Sequence, residues 1–411
     1  MGEKRFHMEK TQVVILGAGY GGLHTALKFE HLLKKRKDCE ISLIDQNDYH
    51  QLKTEIHEVA AERKTFEAIT IPFRNLLKNK RINFIHAKAT HIDFAQKTVI
   101  TTNGNVRYDR LVIALGSETE FFGIPGLKEH AFTLASIDDA QRIRSHIRRM
   151  FLQSANETHG KVRQAVLTFV VGGGGFTGVE LATELADYIA KLAKEADVDK
   201  DEPRLITVEA GGSILPGFDV ELVDRAFRVL KSRGIKLLLK APVVAFDGNT
   251  VQFKANGEIQ TKTVIWTGGV RANTLVAKSG LKSGPRGRIV VTPFLDSVDY
   301  AGVYVIGDNS LVLDSATARP LAPTVQLALQ QAETVAFNIY AELTGRRRQR
   351  FIPKVVGQFV SLGRKEATGW VWKFRVSGFL AWLLKRLNVL KYVYSIGGLK
   401  LMIAKLRQML F

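Results

Sequence analysis

The sequence has a single cysteine, Cys39, among its 411 residues. An internal disulfide framework and a Cys-X-X-Cys redox centre are therefore excluded. Cys39 lies between Asp38 and Glu40, and these acidic neighbours raise the pKa of a thiol because negative charge disfavours the thiolate. We interpret Cys39 as an inert thiol rather than as a nucleophile.

The sequence also lacks a long hydrophobic run. No stretch reaches the roughly 18 apolar residues that a membrane-spanning helix needs. The opening stretch MGEKRFHMEKTQ has no apolar core of signal-peptide length, and Phe6 stands where a myristoylation signal has Ser or Thr. These absences predict a chain that stays in the cytoplasm.

Acidic residues are fewer than basic ones, 40 against 59, which gives a formal net charge of +19 at pH 7. Such a chain attracts an anionic partner, commonly a nucleic acid or a membrane surface. The ten histidines show no metal-site spacing, since neither His50 and His57 nor His86 and His91 lie three or four residues apart. We expect no bound metal.

The length predicts two or three domains rather than one core. Apolar runs predict buried strands at residues 13–16, 41–44, 99–102, 111–114, 167–171, 205–209, 264–266 and 303–306. Helical periodicity predicts helices at residues 23–36, 138–153, 178–194 and 324–343. Strands that alternate with helices form parallel sheets, so we predict an α/β fold.

A glycine-rich turn follows the first predicted strand, in the stretch VVILGAGYGGLHTAL. Gly17, Gly19 and Gly22 have the spacing G-x-G-x-x-G. The first glycine permits a tight turn, the second lets the backbone approach a pyrophosphate, and the third lets helix and strand pack closely. Asp45 ends the next predicted strand, where a carboxylate binds the ribose hydroxyls of a dinucleotide.

The same device recurs in the stretch TFVVGGGGFTGVELATEL. Gly173, Gly175 and Gly178 repeat the spacing, and Glu209 ends the following strand. A carboxylate at this position repels the 2′-phosphate of NADPH, and no Arg or Lys follows it in EAGGS, so we predict NADH here. Two such sites in one chain indicate a nicotinamide beside a flavin, with hydride passing directly between them.

Four stretches, VVILGAGYGG, VVGGGGFTGVE, VIWTGGVRANTL and VYVIGDNS, together resemble the flavoproteins with two dinucleotide-binding domains. The resemblance implies that the first loop binds FAD and the second binds NAD(P)H. Gly307 and Asp308 match a further motif of this superfamily, whose Asp binds the ribitol and phosphate region of FAD. The FAD domain is then discontinuous in sequence.

Within this superfamily, the chain is similar to the type II NADH:quinone oxidoreductases, the single-chain NADH dehydrogenases of respiratory membranes. Members that act through reactive cysteines are excluded by the single Cys39. In NDYHQLKTEIHEVAAE, Thr54 matches the family's flavin-contacting Thr. PTVQLALQQAE resembles the family's Ala-Gln-x-Ala-x-Gln motif, and the basic C-terminal region matches its membrane-binding region.

The resemblance implies four candidate catalytic residues. Gln326 and Gln330 share one helix face and correspond to glutamines that line the family's quinone pocket. Glu180 is expected to contact NADH at the flavin, and Lys365 to approach the quinone. The alternatives are a solvated helix face for the glutamines, a carboxylate favoured by the helix dipole for Glu180, and simple solvation for Lys365.

The predicted fold class is α/β, with two Rossmann-like domains and a C-terminal amphipathic membrane-binding region. The FAD-binding domain is expected at residues 1–120 and 285–345, the NADH-binding domain at 121–284, and the membrane-associating region at 346–411. The expected cofactor-binding residues are Gly17, Gly19, Gly21, Gly22, Asp45, Thr54, Gly116, Gly173, Gly175, Gly178, Glu209, Gly268, Gly307 and Asp308.

Residues 346–411 are strongly basic, with Glu366 as their one acidic residue. Two stretches have an apolar helical face, and Gly397-Gly398 between them predicts two short helices. The faces comprise Phe379, Leu380, Leu383, Leu384 and Leu387, then Leu399, Met402, Ile403, Leu406, Met409 and Leu410, with Lys385, Arg386, Lys400, Lys405 and Arg407 beside them. Such helices lie in an anionic membrane interface, or else pack on the protein's own core or in a homodimer.

We therefore predict a flavoprotein that oxidises NADH, transfers hydride to FAD and reduces a membrane quinone by two electrons without pumping protons. Its expected location is the cytoplasmic face of the cell membrane. The alternative is a soluble NADH-dependent reductase of an acidic ferredoxin or rubredoxin, which needs no amphipathic C-terminus. Nucleic-acid binding is disfavoured, because the basic tail interleaves long apolar residues and has no recognised nucleic-acid motif.

Overall fold

The computed structural model describes residues 10–34, 36–255, 257–314 and 317–410, with side chains as far as residue 408. Two sequence-based expectations lie outside the described residues. These are the interpretation of the opening stretch before residue 10, and the placement of the Met409 and Leu410 side chains on an apolar face.

Strands alternate with helices along most of the described chain. The strands are β1 (Thr11–Leu16), β2 (Cys39–Asp45), β3 (Tyr49–Gln51), β4 (Thr70–Pro72), β5 (Asn83–His86), β6 (Ala89–Asp93), β7 (Thr98–Thr101), β8 (Gly104–Arg107), β9 (Arg110–Ile113), β10 (Ser117–Thr119), β11 (Phe132–Thr133), β12 (Thr168–Gly172), β13 (Arg204–Val208), β14 (Lys236–Leu238), β15 (Val243–Phe246), β16 (Thr250–Phe253), β17 (Glu258–Gln260), β18 (Thr263–Trp266), β19 (Val270–Ala272), β20 (Ile289–Val290), β21 (Val303–Val305), β22 (Ser310–Leu311), β23 (Gly357–Ser361), β24 (Ala367–Val371) and β25 (Phe374–Ser377).

The helices are α1 (Tyr20–Leu33), α2 (Ile56–Ala60), α3 (Phe66–Ile69), α4 (Phe73–Leu76), α5 (Leu127–His130), α6 (Ile137–Ala155), α7 (Gly160–Val166), α8 (Phe176–Glu195), α9 (Val220–Ser232), α10 (Thr274–Ala277), α11 (Val325–Thr344) and α12 (Gly378–Leu410). Short 3₁₀ turns cover Lys53–Glu55, Pro285–Gly287 and Gly307–Asn309. The predicted α/β fold is confirmed by this succession.

The described residues fall into two units, each discontinuous in sequence. The first unit comprises those in Met1–Gln51, Ile71–Glu118 and Val270–Val355, and the second those in Leu52–Thr70, Thr119–Gly269 and Val356–Phe411. The division at residues 120, 284 and 345 made from the sequence stays a prediction.

The first unit is built on a five-stranded sheet in the order β21-β9-β1-β2-β5, with parallel neighbours throughout. The apolar residues 13–16 of β1 are all buried, which explains why this strand reads as apolar on both faces. Helices α1 and α11 pack against each other in this unit. The strand predicted at residues 99–102 belongs instead to a separate antiparallel sheet, β6-β7-β8.

The second unit repeats the plan with a parallel sheet in the order β11-β18-β12-β13-β14. Residues 168–172 of β12 are buried. Both helices that follow a glycine loop begin earlier than predicted, α1 at Tyr20 and α8 at Phe176. The reason is that Gly19 and Gly175 adopt extended conformations and act as the N-cap residues.

The C-terminal part of the second unit contains an antiparallel sheet, β23-β24-β25, that the sequence reasoning did not predict. Helix α12 packs on β24 and β25. The predicted break in this helix is confirmed, because Gly398 has φ of 69° and ψ of −169°. Among the described residues, no helix combines the length and the apolarity that crossing a bilayer requires.

Candidate functional site

The first glycine loop is held by a carboxylate at the end of β2. Gly17 has φ of 89°, a conformation that L side chains rarely adopt, and its N–H donates to the Ile44 carbonyl at 2.8 Å. The Asp45 carboxylate accepts the N–H groups of Ala18 at 2.6 Å and Asn47 at 2.9 Å. Burial raises the pKa of the Asp45 carboxyl. One oxygen of Asp45 therefore holds the glycine loop, and the other holds the turn that follows β2.

The second glycine loop has the same construction. Gly173 has φ of 111°, and its N–H donates to the Val208 carbonyl at 2.8 Å. The Glu209 carboxylate accepts the N–H groups of Gly174 and Gly211, each at 2.7 Å. The acidic residue predicted for each loop thus binds the backbone of that loop.

The third glycine of each loop allows a close backbone approach. A Cβ atom on Gly22 would lie 1.8 Å from the carbonyl oxygen of the first glycine of its loop, and one on Gly178 would lie 1.9 Å from the equivalent atom. In contrast, a Cβ on Gly19 or Gly175 would meet nothing within 4 Å. The second glycine therefore leaves open space at a helix N-terminus, and this cradle fits the pyrophosphate of a dinucleotide.

The predicted Asp308 lies in the short 3₁₀ turn Gly307–Asn309, which follows β21 in the first unit. Gly307 has its N–H bound to the Gln331 side-chain oxygen at 2.6 Å, and the Ser117 hydroxyl donates to the Asp308 carboxylate at 2.6 Å. Burial lowers the pKa of the nearby Arg288 guanidinium, although the charge of Asp308 acts in the opposite direction. The first unit therefore groups a carboxylate and a guanidinium near the loop that fits FAD.

The other expected cofactor residues occupy turns and close contacts. Gly116 has φ of 71°, and its carbonyl accepts the Asn309 side-chain amide at 2.7 Å. Gly21 lies in the first turn of α1. A Cβ on Gly268 would lie 2.4 Å from the indole of the preceding strand. Thr54 lies in a 3₁₀ turn of the second unit. Their contacts with a cofactor stay a prediction.

The three glutamines at the start of α11 differ in their partners. Gln330 donates to the Lys354 carbonyl at 2.8 Å and accepts the Lys354 N–H at 2.9 Å. Gln331 is buried, and its side-chain oxygen accepts the Gly307 N–H in the turn after β21. Gln326 is half-buried in the first turn. Gln330 therefore supports the chain after α11, and Gln331 is a buried polar residue that the sequence reasoning missed.

Glu180 lies in the second turn of α8, which begins at Phe176, and belongs to a buried group of titratable side chains. Its carboxylate contacts the Lys385 ammonium, accepts the Ser361 N–H at 2.9 Å and lies 3.7 Å from His57 Nδ1. Burial alone would raise the pKa of the Glu180 carboxyl, but Lys385 and His57 hold it below its usual value. Burial lowers the pKa of His57 to about 4, so its ring is neutral at pH 7.

A second ionic group lies along the same stretch of α12. Arg386 binds Glu55 at 2.5 Å and Glu58 at 2.8 Å. Lys64 binds Glu55 at 2.7 Å. Burial opposes ionisation of Glu58, yet Lys64 and Arg386 hold the pKa of its carboxyl well below the usual range. Within the second unit, Lys385 therefore ties α12 to α8, and Arg386 ties it to the segment around α2.

Glu184, one helical turn after Glu180, extends this group. Arg63 lies 2.9 Å from Glu58 and 3.0 Å from Glu184. Burial raises the pKa of the Glu184 carboxyl to about 7, because Arg63 only partly offsets the loss of solvation. Glu184 is thus a buried carboxyl that changes its protonation state near neutral pH.

Three basic residues lie where the sequence did not predict them. Lys385 and Arg386 were placed beside an apolar face, and Lys405 on the polar side of the last helix. All three point into the second unit: the Lys405 ammonium is buried and donates to the carbonyls of Glu67 at 2.6 Å and Thr70 at 2.8 Å. Lys365, by contrast, is exposed in the turn between β23 and β24.

The residues that sequence reasoning missed are His57, Lys385 and Arg386, together with Glu184. A usable signal was the pair Glu180 and Glu184, because acidic residues four apart on an otherwise apolar helix need buried basic partners. The partners lie more than one element away in sequence, so local periodicity does not reveal them.

Comparison with known proteins gives one family. A family model described as pyridine nucleotide-disulphide oxidoreductase matches residues 11–332. The type II NADH:quinone oxidoreductase of Staphylococcus aureus (strain MSSA476) is 36% identical over 403 residues, which cover 97% of this chain and 98% of that protein.

Two solved structures are similar in fold. The structure of NDH2 from Plasmodium falciparum in complex with NADH has a TM-score of 0.84 at 20% sequence identity, covering 97% of each chain. The sulfide:quinone oxidoreductase of Aquifex aeolicus has a TM-score of 0.75 at 21% identity, covering 94% of this chain and 91% of that one. These identities show a shared fold.

The two classes of loop glycine should respond differently to alanine. Gly178→Ala forces a methyl group into a carbonyl oxygen, so we expect a loss of about 1–3 kcal/mol in the free energy of unfolding, although Ala is the better helix former. Gly175→Ala has open space and should change that free energy by less than about 0.5 kcal/mol, yet weaken NADH binding. Urea unfolding and NADH titration measure the two effects. Equal stability of Gly178→Ala and the parent would contradict the close approach.

Replacing Arg386 should lower the free energy of unfolding much more than replacing an exposed lysine on the same helix. Arg386→Met leaves Glu55 and Glu58 buried with one cation fewer, so we expect a loss of about 3–5 kcal/mol in the free energy of unfolding. Lys391→Met, at an exposed position, should change it by less than about 0.5 kcal/mol. Urea unfolding at pH 7 measures the free energy of unfolding of both variants. If both lose similar small amounts of it, the ionic group contributes little to stability.

Proposed function

This chain belongs to the pyridine nucleotide-disulphide oxidoreductase family and, within it, to the type II NADH:quinone oxidoreductases, and on that basis we propose that it oxidises NADH and reduces a quinone. The relation to the Staphylococcus aureus enzyme over 97% of the chain carries this proposal. The two glycine loops, one in each unit, support it, since they fit the two dinucleotides that the reaction needs.

FAD fits the first unit and NADH the second. We expect residues 17–22, Asp45 and Asp308 to hold FAD, and residues 173–178 with Glu209 to hold NADH. FAD held in the first unit would supply the two-electron chemistry that couples NADH oxidation to quinone reduction. The role of the chain is to hold and orient these groups and to supply protons.

A quinone takes up two protons together with two electrons, so the reaction needs groups that hold protons away from bulk solvent. Glu180 and Lys385 form such a pair beside neutral His57. A proton that the Lys385 ammonium gives to the reduced quinone would leave a neutral amine beside Glu180, and a proton taken up from solvent would restore the ammonium. We therefore propose Lys385, rather than the exposed Lys365, as the lysine of the site.

Gln326 is the glutamine that we assign to the quinone. Gln330 uses both ends of its amide to bind the backbone of Lys354, and Gln331 binds the turn at Gly307. Each of these residues therefore has a structural role in the first unit. Gln326 is half-buried in the first turn of α11, and its amide is the group that we assign to a hydrogen bond with a quinone carbonyl.

We also propose that the outer face of α12 lies on the cytoplasmic side of an anionic membrane. Its exposed apolar residues are Phe379, Leu380, Leu383, Leu387, Leu399 and Ile403. Lys391, Lys400 and Arg407 are exposed as well and suit an anionic surface. Deletion of α12 is a poor test of this proposal, because it would also remove Lys385 and Arg386 from buried carboxylates.

The assigned function predicts a separable effect at Gln326. With a water-soluble quinone as the sole acceptor, the parent protein should oxidise NADH. Gln326→Leu should slow the reoxidation of the flavin by quinone at least about fivefold, since losing a hydrogen bond costs about 1 kcal/mol or more, and should leave flavin reduction by NADH unchanged. Stopped-flow absorbance measures both half-reactions. Activity with a ferredoxin but not with quinone would overturn the function, and two unchanged half-reactions would overturn the role of Gln326.

The membrane proposal predicts an effect of charge position. Lys391→Glu/Lys400→Glu should weaken binding to anionic vesicles by at least about tenfold, since each basic residue near such a surface contributes about 1 kcal/mol. The control Lys128→Glu/Lys161→Glu makes the same change in net charge at exposed positions elsewhere in the second unit. Vesicle flotation at low salt measures binding. Equal losses in both variants would mean that only total charge matters.

A further inference from the structure

A tight hairpin projects from the C-terminal sheet of the second unit. Strands β24 and β25 are antiparallel, and Val371 pairs directly with Phe374. The connection is therefore only two residues long, Trp372 and Lys373. Trp372 continues the hydrogen bonding of the sheet, because its N–H donates to the Val356 carbonyl at 2.7 Å. The hairpin is thus an ordered element with a defined tip.

The tip presents aromatic residues to the outside. The Trp372 residue is 71% exposed and Phe374 is 68% exposed, with the exposed Lys373 between them. Large aromatic side chains are mostly buried in folded proteins, so two exposed ones separated by a single residue leave a substantial apolar area in water. An aromatic, basic, aromatic succession matches the membrane–water interface, where aromatic rings and lysines are enriched.

The backbone at the tip favours a functional explanation. Trp372 has φ of 52°, in the region that β-hairpin loops usually fill with Gly, Asn or Asp. A bulky residue with positive φ is strained, and folding alone gives no reason to place tryptophan there. Its side chain is largely exposed, so burial within the unit does not offset this strain.

The tip is continuous with the surface proposed to face the membrane. Helix α12 begins directly after β25 and packs on it. Phe379 and Leu380, each 56% exposed, follow in the first turn of that helix. No Asp or Glu occurs after Glu366 in the sequence, and the two carboxylates at the start of α9 beside the hairpin, Asp219 and Glu221, are paired with Arg375. Charge complementarity therefore favours an anionic lipid surface. A second copy of the chain would bring the same basic residues against this surface, which is unfavourable.

We propose that the hairpin tip is a second membrane anchor, which inserts Trp372 and Phe374 into the lipid interface beside α12. This inference rests on the proposed membrane docking of α12 and adds an element to it. The two anchors fix two separate points of the second unit on the bilayer. They therefore set the orientation of that unit as well as its attachment.

The test compares vesicle binding of full-length, FAD-loaded variants. Trp372→Gly and Phe374→Ala should each weaken binding at least about fivefold on both phosphatidylcholine vesicles and vesicles with added phosphatidylglycerol, because their contribution is apolar. Lys373→Ala should weaken binding about fivefold on the anionic vesicles alone. Leu152→Ala, at a 63% exposed apolar position on α6, is the matched control and should bind like the parent.

Thermal unfolding separates an anchor from a structural residue. Glycine accepts positive φ, so Trp372→Gly should have a melting temperature no lower than that of the parent while its vesicle binding falls. Bromine-labelled lipids should quench the tryptophan fluorescence of the parent more than that of Trp372→Phe. Depth-dependent quenching of this kind requires insertion and not merely proximity.

The outcomes are distinguishable. If the parent itself binds neither kind of vesicle, the membrane docking of α12 fails and the hairpin anchor fails with it. If the parent binds and Trp372→Gly binds equally well, only the hairpin anchor is overturned. A lowered melting temperature in Trp372→Gly, or a change in oligomeric state in place of vesicle binding, would also overturn it, by assigning the tip to folding or to self-association.

Discussion

The structure depends on one arrangement that occurs twice, a carboxylate at the end of a parallel strand that binds the backbone of a neighbouring glycine loop. Asp45 holds Ala18, and Glu209 holds Gly174, at nearly the same distance. Each loop must also lie so close to its helix that a side chain at Gly22 or Gly178 would collide with a carbonyl oxygen. Together, these two constraints fix the helix N-terminus beside the glycine loop in each unit. The backbone N–H groups there can bind the phosphates of a dinucleotide.

Buried charge organises the second unit. Carboxylates on α8 and around α2 meet cations from α12, so an element that reads from the sequence as a surface tail contributes to the interior. Each charge would be costly alone, and the geometry compensates by giving Glu58 and Glu180 cationic partners. The raised pKa of Glu184, to about 7, shows where this compensation is incomplete. The carboxyl that can hold a proton near neutral pH therefore belongs to the same cluster of charged side chains that attaches α12.

Much of the fold could be predicted from the sequence, because glycine spacing and apolar runs are local signals. Both loops, their acidic partners and the break at Gly397-Gly398 were found in this way. The sheet at residues 357–377 was missed because its short strands lie in a basic segment without clear alternation. The inward direction of Lys385 and Lys405 was missed for a different reason. A lysine beside an apolar helical face is expected to be exposed to solvent. Here Glu180 and the carbonyl of Glu67, both distant in sequence, bind these ammonium groups inside the unit.

The break at Gly398 has a consequence for how this segment can evolve. Helix α12 inserts Lys385 and Arg386 before the break and Lys405 after it, and all three reach fixed partners. Each residue of an α-helix advances the direction of its side chain by about 100°. A single insertion or deletion within the helical turns on either side of the break, between Arg386 and Gly397 or between Gly398 and Lys405, would rotate one attachment away from its partners while leaving the other in place. The fold therefore constrains the number of residues between each attachment and the break more strictly than it constrains the composition of the outer face.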